Sequence, residues 1–61
     1  MNIVELHKHI IKRNDAGGYP PISDQGVADV IIALKRERDD YAIEGALETY
    51  HLTNAFAGSN H

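Results

Sequence analysis

An all-α fold is the prediction for this 61-residue chain, and three observations carry it. Apolar residues recur at helical spacing in both parts of the chain, as Ile3, Leu6 and Ile10 and then as Val27, Val30, Ile31 and Leu34. The stretch from Ser23 to Phe56 contains no proline, has only Gly26 and Gly45 as internal glycines, and is rich in Ala, Leu, Ile, Arg, Lys and Glu. The two prolines stand together at Pro20 and Pro21, beside Gly17 and Gly18, so the chain is punctuated in one place.

Residues 2–14 read as a short amphipathic helix. Asn2 is a natural N-cap, with Glu5 three residues later in the manner of a capping box. At 100° per residue, Ile3, Leu6, His7, Ile10 and Ile11 share one face, with Val4 at its margin, while Glu5, Lys8, His9 and Lys12 lie on the other. Lys12 and Arg13 fall in the last turn, where cations complement the helix dipole. The connection from Asn14 to Ile22 begins with turn-tolerant residues and ends stiffly, because each proline restricts the residue before it. Tyr19 is expected to cover the edge of the core there.

Ser23 is the expected N-cap of a second, long helix over about 23–56, with Ile22 placed to pack on Val27 as a hydrophobic staple. Its stripe of Val27, Val30, Ile31 and Leu34 meets six consecutive charged residues, Lys35 to Asp40. Arg38 can bridge that gap by laying its methylenes along the seam. Beyond it the stripe resumes at Tyr41, Ala42, Gly45, Thr49, Leu52 and Phe56, and a second apolar group, Ile43, Ala46, Leu47 and Tyr50, lies on the opposite side. Gly58 is the expected stop, with a polar tail over 58–61, and the whole of 1–61 forms a single small helical domain.

Size makes the arrangement consequential. A chain this short buries only about 60% of its unfolded surface and needs a further source of stability. No cysteine is present, which removes disulfides and thiolate zinc sites and leaves oligomerisation. A helix of about 33 residues is roughly 50 Å long against about 18 Å for the first, so a folded-back hairpin leaves its far half uncovered. The sequence therefore predicts a helical hairpin that dimerises into a four-helix arrangement. Ile3, Leu6, Ile10, Val27, Val30, Ile31 and Leu34 pack within the chain, and Ile43, Ala46, Leu47, Tyr50, Leu52 and Phe56 form the dimer interface. The alternative is a three-helix monomer with a break near residues 38–40, where Asp39 or Asp40 caps a third helix. Helix propensity favours the unbroken form, since neither Gly nor Pro interrupts the charged run.

Chemistry is sparse. His7 and His9 are two residues apart and point to different sides of a helix, and His51 and His61 are distant, so no metal and no cofactor are expected. Ser23 is a cap and Ser59 belongs to the tail, and with no nucleophile–base pair the chain is expected not to be an enzyme. Glu37, Asp40, Glu44 and Glu48 either meet basic partners such as Lys12 or Arg13 or form an exposed acidic ridge, which reads first as a solvated face and, in the sharper reading, as a surface for a basic partner. Lys35, Arg36 and Arg38 are the candidate nucleic-acid contacts. A net charge of -3 and the carboxylates beside them argue against general DNA binding, as does the nine-residue Gly-Pro connection in place of a short helix-turn-helix turn. Lys8 and Lys12 interrupt the N-terminal apolar residues too early for a signal peptide or membrane span, so a cytoplasmic protein is expected.

In size, charge and layout, with the ALKRERDDYAIEGALETY segment behind a short N-terminal helix, the chain resembles the small helical accessory proteins of temperate (lambda-like) phages. The resemblance implies a short, cysteine-poor helical protein that binds a protein of the host. It transfers no site residue. The function expected is a non-enzymatic helical interaction or regulatory protein, homodimeric and acting on another protein, with a small DNA-associated regulator as the alternative.

Overall fold

The computed structural model describes residues 2–59, with side chains from Asn2 to Phe56, and is all-helical over that span. Its elements are α1 (Ile3–Ala16), α2 (Asp24–Leu34) and α3 (Asp40–Ser59). The molecule measures 38 × 21 × 20 Å.

α1 starts where its sequence says it should. The Asn2 side chain accepts from Glu5 N at 2.8 Å, and Asn2 Nδ2 donates to Glu5 Oε1 at 3.2 Å, a reciprocal cap that satisfies a backbone donor the helix leaves free. The helix runs two residues beyond the expected Asn14 to Ala16. Gly17 N bonds Arg13 O at 3.0 Å, and Gly18 then takes φ +73°, the left-handed conformation that turns the chain away. α2 likewise begins at Ser23, whose Oγ accepts from Gly26 N at 3.1 Å.

The expected single helix over 23–56 does not form: α2 ends at Leu34 and α3 begins at Asp40. Lys35 takes φ 57°, a positive value outside the α-helical region, and its N–H turns back to Ile32 O at 3.3 Å. Arg38 Nη1 donates to Lys35 O and to Glu37 O, each at 2.8 Å, so it satisfies turn carbonyls instead of bridging an apolar seam. Asp39 is the N-cap of the new helix, accepting from Ala42 N at 2.8 Å. The three-helix alternative is the architecture observed.

The physical reason is tertiary. The break folds α3 back along α2, so that Ile43 and Leu47 reach 0% exposure in one core with Leu6, Ile10, Val27, Val30 and Leu34. Burying two such side chains stabilises by roughly 3–6 kcal/mol, against about 1–3 kcal/mol for one strained residue. Local propensity loses that comparison. Ile43 and Leu47 are thereby corrected from dimer-interface residues to core residues. Ala46 and Tyr50 pack partly buried against the same core, while Leu52 and Phe56 are exposed.

Of the residues expected to pack within the chain, Leu6, Ile10, Val27, Val30 and Leu34 are buried and Ile31 is partly so. Ile3 is 60% exposed. α3 continues through Gly58 to Ser59, past the expected stop. The rest of the expected tail, Asn60 and His61, lies outside the described residues.

Candidate interaction surface

Polar contacts seat α1 on the hairpin. His9 Nε2 donates to Asp40 Oδ1 at 2.6 Å, Arg13 pairs with Glu44, and His7 Nε2 lies 3.5 Å from Asp24 on α2. Two members of the expected acidic ridge therefore meet cationic or imidazole partners on α1. The Asp40 carboxyl is held below its ordinary value, first by the hydrogen bond from His9. Desolvation opposes this, and the charges of His9, Arg13 and Lys12 add to it. Glu37 and Glu48 remain exposed.

A second polar node lies at the end of α1. Asn14 is fully buried at 0% exposure, donating Nδ2–H to Pro20 O at 3.0 Å. Its Oδ1 is then an acceptor, so His51 Nε2, 2.7 Å away, carries the proton between them. The His51 ring stacks on Tyr19 at 4.8 Å between centroids with 10° between planes, and meets Tyr50 edge-on at 5.1 Å. Asn14, the Tyr-Pro-Pro connection and α3 are thus fastened at one point. In the sequence Asn14 has the character of a turn residue, and nothing in its spacing marks it as buried.

Two grooves flank α3. One is lined by Gly17, Tyr19, Tyr41, Glu44, Gly45 and Glu48. The other runs between α2 and α3 and is lined chiefly by Leu34, Ala33, Ala42, Ala46 and Thr49, with Glu37 at its edge. Gly45 borders both, and a Cβ placed on it meets nothing within 4 Å. Along the outer side of α3, Tyr41 is 90% exposed, Leu52 58% and Phe56 75%. With Gly45 these positions fall within about 60° of one another on a helical projection, on the side facing away from the core, with the exposed Glu48 beside them between Gly45 and Leu52.

Lys35, Arg36 and Arg38 are exposed together in the α2–α3 turn. That turn is short, residues 35–39, so the spacing objection to a helix-turn-helix does not apply to this pair of helices. The charge objection does, because Asp40, Glu44 and Glu48 all lie on the helix that follows. No group of three or more His, Cys, Asp or Glu side chains placed to hold a metal occurs among the described residues. No described helix is long and apolar enough to cross a membrane. No family model matches the chain, and neither a curated protein nor a solved structure is detectably similar to it.

Proposed function

We propose that this protein is a non-enzymatic helical interaction module that works by binding another polypeptide through the outer side of α3, and that a second copy of itself is one such partner. The observation that carries this reading is the stripe of Tyr41, Gly45, Leu52 and Phe56. The core closes within the chain without these residues, yet three large apolar side chains line one side of a helix about 30 Å long. Large apolar side chains exposed along one side of a helix are a feature of association surfaces. The interface so proposed keeps Leu52 and Phe56 from the set expected from sequence, drops Ile43, Ala46, Leu47 and Tyr50, which pack in or against the core, and adds Tyr41 and Gly45.

A role on nucleic acid through Lys35, Arg36 and Arg38 has less support, since the three cations are interleaved and followed by carboxylates that repel phosphate. Sedimentation equilibrium over a range of concentrations tests the self-association. A mass rising toward twice 6.8 kDa, and falling back in Leu52→Asp, is the expected result. A Leu52→Asp variant with the same mass as wild type at every concentration would remove this side of α3 from consideration.

A further inference from the structure

Two hollows lie one helical turn apart in the groove between α2 and α3. The first is lined on the α3 side by Ala42, Gly45, Ala46 and Thr49, the second by Ala46, Thr49, Tyr50 and Thr53, and Ala33 of α2 borders both. Ala46 and Tyr50 pack against the core as well, so they serve both sides of the helix. Each set of four follows the spacing i, i+3, i+4, i+7, the diamond that receives one side chain from a facing helix. α3 carries matching side chains at its other end. Leu52 and Phe56 are 58% and 75% exposed and, like the hollows, stand four residues apart. Ala42, Gly45, Thr49, Leu52 and Phe56 alternate steps of three and four residues, the repeat of a helix–helix seam. Small residues come first along that seam and large ones last. Two copies are therefore complementary in size only when they run in opposite directions.

We propose that α3 pairs antiparallel with α3 of a second copy, the partner's Phe56 entering the Ala42–Gly45–Ala46–Thr49 hollow and the partner's Leu52 entering the next. The exchange is reciprocal across a two-fold axis level with Tyr50 and His51. This rests on the self-association proposed above and supplies its direction and register. Both dockings belong to one register, because four residues back along the partner's helix are four residues forward along this one. The flanking Glu48 then lies nearest the partner's Ala55, so like charges do not stand opposite one another. A parallel pair would instead set Phe56 on Phe56 and leave the hollows unfilled. Without a Cβ at Gly45, the partner's ring can lie close to the α3 backbone. The exposed parts of Leu52 and Phe56 come to on the order of 250 Å² a copy, and the surface they cover is about as large. The two symmetric dockings thus bury on the order of 1,000 Å², the size at which a specific interface begins.

Moving bulk from one end of the seam to the other tests the register. Gly45→Leu, Phe56→Ala and the double variant are compared with wild type by sedimentation equilibrium over a range of concentrations, with far-UV circular dichroism as the check on folding. A Cβ at Gly45 meets nothing within 4 Å and Phe56 is exposed, so all four chains are expected to keep their helicity. Each single change is expected to raise the dimer dissociation constant about tenfold or more, Gly45→Leu by filling the hollow and Phe56→Ala by emptying it. The double variant is expected to recover most of that loss, because the large side chain has only changed helices. A dimer that Gly45→Leu tightens has its helices parallel, and overturns the docking. So does a dimer indifferent to both single changes, or one whose losses the double variant does not recover. In each of these cases Leu52→Asp would still dissociate the dimer, and self-association through α3 would stand. A wild-type chain that is monomeric at every concentration overturns both.

Discussion

Gly26 shows how one missing side chain places a helix. A Cβ there would lie 2.8 Å from Ile22 Cγ1 and 2.8 Å from Tyr50 Cζ, so Tyr50 of α3 rests directly on the α2 backbone. Helix propensity alone says that Gly26→Ala should stabilise by about 1 kcal/mol. The contact says the reverse, and overpacking of this kind costs roughly 1–3 kcal/mol. A lower urea midpoint in Gly26→Ala is expected, and a higher one would mean that Tyr50 does not sit there. Asp40 supplies a pH dependence at the same scale. A folded-state pKa below 3.8 gives a stabilisation that is present above that value and is lost as pH falls through the folded one. Asp40→Asn is therefore expected to lower stability in the weakly acid range and to flatten the acid limb of a plot of urea midpoint against pH. Parallel curves for the two proteins would show that the contact with His9 contributes nothing.

At the scale of elements, the α2–α3 turn decides the architecture, and the signs of two substitutions report on it. Asp39 caps α3, so Asp39→Ala is expected to destabilise by about 1 kcal/mol. In an unbroken helix the same change would stabilise, because alanine is the better helix former. Lys35→Gly reverses the pattern. It relieves a positive φ and is expected to stabilise, whereas glycine inside a continuous helix would cost about 1 kcal/mol. Thermal or urea unfolding of the two variants separates the structures without any label. A stabilising Asp39→Ala together with a destabilising Lys35→Gly would restore the long helix.

For the whole molecule, the division between core and outer surface of α3 predicts two phenotypes for one kind of substitution. Leu47→Asp places an unpaired charge in a fully buried site and is expected to unfold the chain. Leu52→Asp falls on exposed surface and should leave helicity and midpoint near wild type while reducing association. Circular dichroism and sedimentation on both variants make the comparison. Equal loss of helicity in both would mean that the outer stripe is packed as the core is.

The elements that were legible in the sequence were those set by neighbours within four residues. The Asn2 and Ser23 caps, the Leu6–Ile10 and Val27–Val30–Leu34 faces, the turn at Gly17–Gly18 and the all-α class depend on local hydrogen bonding and on helical periodicity, and they stand as read. The two apolar groups on the C-terminal segment were also legible as a pattern. Their assignment was not, because periodicity says that two sides are apolar without saying which one the chain itself can cover. Asn14 reads as a turn residue and Gly26 and His51 carry no packing role that the sequence shows, since each acquires its role from a partner twenty or more residues away. The break at Lys35–Asp39 is of the same kind. Local propensity scores a few tenths of a kcal/mol per residue in favour of continuing the helix, and the burial of Ile43 and Leu47 outweighs that sum. Sequence alone thus determined that the chain is helical and where its first two helices start; tertiary packing decided that there are three helices and which side of α3 faces out, because burial is shared among residues far apart along the chain.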